Sequence, residues 1–468
     1  KGVVGLDMSS SSSAASNVET QINLAGGSTV SADRTDAGTG AVGLFINYGQ
    51  ANINSGAKVE VERTAINAAN SNAVGVYAVN GSDVVNDGSI SVGGDSSIGV
   101  LGLSSRVKPA TGALVGDEFS KGAGVYGKIS VTNNNALDLD GKGSYGIYVE
   151  DNDTANVATN LVNATNGASG VITMNGEKAV GMGGKNFGVL KNDGQIIINA
   201  DEGVGMFGQS SGSVLNNNII TVGNSSSESK LRVGMFTNDQ GVTLTNNGTI
   251  KVAVDEGIGM FASGSGSRAI NSSTGVIELS GKNTKGMYVD NNAVGENWGI
   301  IKTVPTPNNT GILGVVATGG GVIKNYGQII VDGPNNRAGY LGSTGTFTNE
   351  TSGGITGTVT NTGGAEGVVR KTGSPTGKTV AGIEIIAPAG ATSATIKING
   401  STVVPTYVDT NARTSTPSTV SVTSPSGVTS IIDLGTTGLG SIPTNEKAGS
   451  LGMYIDTSGI NYTRPITN

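Results

Sequence analysis

Two acidic pairs are the first residues in this chain that could do chemistry: Asp201-Glu202-Gly203 and Asp255-Glu256-Gly257. Adjacent carboxylates can bind calcium, and paired carboxyls can act as acid and base in cleaving a glycan. A second candidate lies in residues 104–121, where Arg106, Lys108, Asp117, Glu118 and Phe119 gather in a chain otherwise poor in charge. That stretch reads as a contact loop or as a solvated surface excursion. A third is aromatic. Tyr77, Tyr126, Tyr148, Phe207, Phe236, Phe261 and Tyr288 occupy one place in a recurring phrase. Such rings can stack on sugars, anchor a protein partner, or stack on each other as structure. Tyr77, Tyr126 and Tyr148 join the charged stretch as candidate binding residues. Trp298, beside Gly299, reads as a turn residue that caps a coil.

Composition removes much other chemistry. The chain has 468 residues with no Cys and no His. Thiol nucleophiles, disulfides, Cys/His zinc sites and a Ser-His-Asp triad are therefore impossible. The formal net charge of −7 makes nucleic acid a poor partner. No catalytic residue, metal or cofactor is assigned. Aromatics are only 4%, too few for several round cores, and no apolar run is long enough to span a bilayer as a helix. The two ends read as cuts through a longer polypeptide.

The elements that must position these residues come from a repeat. One phrase is apolar-Gly-apolar-aromatic, as in Val74-Gly75-Val76-Tyr77, Tyr145-Gly146-Ile147-Tyr148 and Val204-Gly205-Met206-Phe207. The reading includes Ala123-Gly124-Val125-Tyr126 and Thr310-Gly311-Ile312-Leu313 as copies. A second phrase, Asn-x-Gly-x-Ile, falls between them, as in Asn192-Asp193-Gly194-Gln195-Ile196 and Asn325-Tyr326-Gly327-Gln328-Ile329. It reads as a turn whose Asn bonds its own backbone, opening a period-2 strand. From Gly181 to Gly367 the glycines of the first phrase recur every 24–29 residues. Units of that length, holding two or three short strands and no helical period, predict an all-β parallel β-helix, or β-solenoid. Roughly fifteen coils at about 4.8 Å each give a rod on the order of 70 Å long. Alternation puts Val74, Val76 and Ala78 on one face, read as inward, and Gly75 and Tyr77 on the other, read as outward; the opposite phase would bury the aromatics and expose the aliphatics. The repeat also sets the two acidic pairs two coils, about 10 Å, apart, which suits a repeated solvated turn better than one convergent site.

Residues 1–369 read as β-helix coils. Residues 370–448 are richer in Pro and lack the Asn phrase, and read as a small β insertion or as modified coils. Residues 449–468 read as a returning coil, opening on Leu451-Gly452-Met453-Tyr454.

The Gly-Met-Phe/Tyr coils, the Asn-x-Gly-x-Ile turns and the run Gly452-Met453-Tyr454-Ile455-Asp456-Thr457-Ser458-Gly459-Ile460-Asn461-Tyr462 resemble the passenger regions of type V autotransporters. They are similar in particular to the large fusobacterial (RadD-like) outer-membrane adhesins. The resemblance implies a right-handed β-helix carrying surface loops and exported to the cell surface through an outer-membrane barrel at the parent's C-terminus. It implies a monomeric adhesin rather than an enzyme. The implied partners are a host cell-surface protein or glycan, or another bacterium. It carries no binding motif onto particular positions. A lack of Cys suits such export, since disulfides formed beforehand would impede threading. The competing reading is a carbohydrate-active β-helix, a polysaccharide lyase or hydrolase. That would need three or more Asp/Glu with Lys or Arg in one groove, and the sequence displays no such cluster.

Overall fold

Short alternating runs of Val, Ile, Met and Thr, each closed by Asn or Gly, suit a pleated, half-buried strand far better than a helix. The computed structural model agrees: every element among the described residues is a strand. It describes residues 3–9, 20–33, 40–47, 49–61, 72–79, 81–104, 129–151, 162–223, 231–306, 309–333, 335–342, 344–353, 355–362 and 365–370, and short strands between 379 and 466. The chain divides into two compact units, Lys1–Phe261 and Ala262–Asn468.

In the first unit the strands come in threes. One coil consists of Val204–Gln209, Gly212–Asn216 and Ile219–Val222. Each strand pairs in parallel with its counterparts in the coils on either side. Met206 aligns with Met182 and Met235, Val214 with Leu190 and Leu244, and Ile220 with Ile196 and Ile250. Three parallel sheets result, the expected β-solenoid, with eight complete coils between residues 3 and 252. The second unit repeats the plan at residues 285–303, 313–332 and 337–362. In its last complete coil a small antiparallel hairpin, Thr351–Ser352 with Ile355–Thr356, interrupts the path to the third strand. Beyond residue 379 most pairing is antiparallel, and Tyr454–Asp456 pairs in parallel with Glu384–Ile386.

The expected fifteen coils are too many. Leu101 pairs directly with Tyr148, so no coil intervenes between their strands, although the sequence carries a glycine phrase at 123–126. That copy lies outside the described residues. A second adjustment concerns Gly311. Lys285 aligns with Leu313 and Met287 with Val315, so the partner of Gly286 is Gly314. Gly311 instead has φ +72° and sits in the preceding turn.

The interior is built of rows. Met182, Met206 and Met235 stack on one wall and Ile172, Ile196, Ile220 and Ile250 on another, all fully buried. Burying each such side chain contributes about 1.5–3 kcal/mol. Val74, Val76 and Ala78 are buried as alternation requires, and Tyr77 is half-exposed. Gly75 departs from the expectation, because its missing Cβ points inward, at Ile90 and the carbonyl of Gly99. The chain turns a corner there, and two successive residues face the core. At the equivalent Gly234 a Cβ would lie 2.5 Å from the Gly259 carbonyl oxygen and 2.9 Å from Ile250 Cγ2. No rotamer relieves a Cβ clash, so the phrase needs glycine for space.

The Asn of the turn phrase has a role that spacing alone does not reveal. Asn86, Asn133, Asn166, Asn192, Asn216 and Asn246 close the second strand of successive coils, and all are fully buried. Each Nδ2 donates to the Oδ1 of the next Asn, at 2.7–2.8 Å. The second unit repeats this through Asn271, Asn297, Asn325 and Asn349, at 2.8–2.9 Å. Spare Nδ2 hydrogens satisfy turn carbonyls, as in Asn166 to Gly170 and Asn216 to Asn218. The first ladder starts where an aliphatic row ends: Asn86 aligns with Ile53, and its buried Oδ1 has no partner.

Two substitutions test this interior. Asn192→Leu leaves the Asn216 Oδ1 orphaned and deprives Asn166 of its acceptor, each buried orphan costing about 1–3 kcal/mol. Gly234→Ala forces backbone apart at a cost of about 1–3 kcal/mol. Thermal melts followed by circular dichroism should place both variants clearly below wild type, whereas Ser213→Ala, on the outer face, should melt with it.

Candidate functional site

Because the inside of each coil is filled by like residues, chemistry that varies from coil to coil must stand outside. The first sheet carries an outward row of rings. Phe45 packs edge-on against Tyr77, with centroids 5.3 Å apart. Phe207, Phe236 and Phe261 form a stack at 5.6 and 5.2 Å with interplanar angles of 24° and 26°. The row is interrupted by Leu101 and by Gly183. Gly183 is filled from the neighbouring coil, since a Cβ there would meet the rings of Tyr145 and Tyr148.

Tyr148 is the most constrained of these rings. Its hydroxyl donates to Glu150 at 3.0 Å, and Glu150 also pairs with Lys185 at 3.1 Å. Burial, then the Glu150 charge and its hydrogen bond, push the phenol well above its usual value. Burial also raises Tyr77 and Tyr145.

Beside the phenylalanine stack lies an open groove of about 560 Å³, lined by Val204, Leu231, Val233, Phe236 and Phe261 with Glu202 and Glu256. Leu231 is 46% exposed there. Glu202 and Glu256 have positive φ, 55° and 60°, and lie in the turns that precede the first strands of their coils. The first acidic pair is tied down by its neighbours. Asp201 accepts from buried Arg232 at 2.8 Å, and Glu202 pairs with Lys178 at 3.2 Å. The two pairs belong to coils with another coil between them, as expected, and each contributes one glutamate, Glu202 and Glu256, to this groove. Among the described residues no three His, Cys, Asp or Glu side chains are grouped to hold a metal ion.

Of the residues singled out in the sequence, Tyr77 and Tyr148 face outward in one row but are separated by Leu101. Tyr126 lies outside the described residues, as do Arg106, Lys108, Asp117, Glu118 and Phe119. A different aromatic pair was missed. Trp298 and Tyr326 occupy the variable place of two successive Asn-x-Gly turns and stack in parallel, centroids 3.8 Å apart and 5° between planes. The two turns were visible separately; only the alignment of Asn297 with Asn325 brings the rings together.

The raised tyrosines give a pH test. Above about pH 10 the unfolded chain releases phenolic protons that the folded chain keeps. The unfolded state then binds fewer protons, so stability falls as pH rises through that range and on toward the folded values. Chemical denaturation at pH 8 and pH 10.5 should record this loss, and Tyr148→Phe should make it smaller.

Comparison with known proteins returns one family. The model described as the BigA third pectate lyase-like domain matches residues 12–299, more than half of the chain. No curated protein and no solved structure matches it. A long match over the stacked coils, joined to three parallel sheets, fits a β-helical, passenger-like domain. The chain belongs to the BigA third pectate lyase-like domain family.

Proposed function

We propose that this chain is a passenger segment of a bacterial surface adhesin, exported by a type V route and attaching its cell to host cells or to other bacteria. One observation carries the reading: the described coils are closed inside by aliphatic rows and amide ladders, and their variety lies outside. A scaffold of this kind holds surface residues at fixed spacing, which serves recognition. The outward rings and exposed Leu231 are the apolar anchors that interfaces use. The likeness of the coil phrases to fusobacterial outer-membrane adhesins gives the direction, and the absence of Cys is in keeping with export. In this reading the chain is not itself an enzyme.

The family's description favours a second reading, cleavage of an acidic polysaccharide. Against it, only one glutamate of each acidic pair, Glu202 and Glu256, lines the groove beside the phenylalanine stack, and Asp201 and Glu202 are each tied to a cation.

Beads coated with the chain should bind epithelial cells or partner bacteria, and cells lacking the parent protein should attach less. Unbound beads together with unchanged attachment of the deletion strain would refute the adhesin. Robust turnover of polygalacturonate or another polysaccharide would favour the enzyme.

A further inference from the structure

In each unit the variable place in the Asn-x-Gly turns forms a row on the outer surface, and the two rows differ in character. In the first unit it is an amide ladder: Asn217 donates to Asp193 at 2.7 Å and Asn247 to Asn217 at 2.8 Å. In the second unit the same place holds Ser272, Trp298, Tyr326 and Glu350 in successive coils. The backbone beneath does not require the change. Trp298 N–H donates to Asn271 O and Tyr326 N–H to Asn297 O, both at 2.7 Å, as Asn217 and Asn247 do to Asn192 and Asn216 at 2.8 and 2.7 Å. Nothing in the turn geometry calls for aromatic residues here, yet Trp298 is 36% exposed.

The pair is also held in place. Indole Nε1 donates to Glu296 at 3.2 Å, and Glu296 is anchored by Arg268. A ring fixed before binding loses little freedom on binding. Around the stack lies a cleft of about 420 Å³, within the range of small-ligand sites. Ser273, Gln328, Ser352, Thr356 and Thr358 supply polar groups, and among the described residues none that lines it is charged. Part of this wall comes from the Thr351–Ser352 and Ile355–Thr356 hairpin, the interruption that the three-strand coil does not need.

We propose that this cleft is a carbohydrate-binding subsite, in which a neutral pyranose ring of a glycan lies against the Trp298–Tyr326 platform. The apolar C–H face of a pyranose packs on the ring surface that the mutual stack of Trp298 and Tyr326 leaves uncovered, while its hydroxyls bond to Ser, Thr and Gln side chains. The uncharged lining selects a neutral sugar over a uronate, whose carboxylate would want a cation. The polar groups around the rings are hydroxyls and a side-chain amide, which suit the hydroxyls of a sugar better than the apolar side chains of a peptide. The inference rests on the adhesin reading and names the ligand class for one of its surfaces.

Trp298 is the only tryptophan in the chain, so intrinsic fluorescence reports on this site alone. The intact chain would be screened on an array of neutral and acidic oligosaccharides, and the best neutral binder titrated while Trp emission is followed. Saturable change in emission is expected. Trp298→Ser and Tyr326→Ser should each reduce array binding at least tenfold. Ser is the natural replacement, since Ser272 holds the same place one coil earlier. Unchanged melting would show that the fold survives, and Trp298→Phe should keep part of the binding if either serine variant melts early. Array binding unaffected by all three variants would overturn the proposal, as would binding only to uronates or to no glycan. Beads that fail to attach to cells would count against the adhesin alone, since the titration reads sugar binding directly.

Discussion

The structure depends on one constraint: each coil lies a strand spacing, about 4.8 Å, from the next, in register. At that distance an inward side chain meets mainly its own counterparts above and below. Like residues therefore stack, and a residue that tolerates its own copy is favoured in every coil. Methionine and isoleucine meet the demand by interlocking, asparagine by donating along the row while accepting from behind. Glycine meets it where two backbones and a third-strand isoleucine crowd one corner. A buried amide is costly alone and becomes acceptable only as a member of a continuous chain of amides. The unpartnered Oδ1 of Asn86, facing Ile53, marks where that condition begins to be met.

The same constraint frees the exterior. Outward residues need only avoid clashing with their neighbours, so ion pairs, amides and rings substitute for one another there. Lys185–Glu150 and Lys302–Glu278 are such pairs, and exposed pairs of this kind contribute little stability. What an outward row carries is thus weakly dictated by folding and open to selection for contact. That is why the phenylalanine stack and the Trp298–Tyr326 platform bear on function in a way the methionine row does not.

Much of this was legible in the sequence. The glycine phrase located the first strand of nearly every described coil, and alternation placed Tyr77 outside and Val76 inside. Its inward-facing glycine was not legible, because alternation assumes a straight strand and the chain bends at that residue. The asparagine ladder was half legible. Asn192, Asn246, Asn297 and Asn325 carry the Gly two residues on, but Asn133, Asn216 and Asn271 do not. An Asn followed four residues later by Ile or Leu recovers Asn133, with Leu137, and Asn216, with Ile220, but not Asn271, which Gly275 follows at that spacing. The aromatic platform was hidden for another reason. Trp298 and Tyr326 are 28 residues apart, and a turn of either one read singly has an ordinary structural explanation.

The central claim is the register of the coils, and the lack of native Cys allows it to be read without background. Ser213 and Thr243 are aligned on outer faces of adjacent coils. Such neighbours fall within the Cα separation a disulfide requires, whereas a partner displaced by two residues lies beyond it. Mild oxidation should cross-link Ser213→Cys with Thr243→Cys and leave Ser213→Cys with Thr245→Cys reduced. Cross-linking of the displaced pair in preference to the aligned one would contradict the stacking described for these coils.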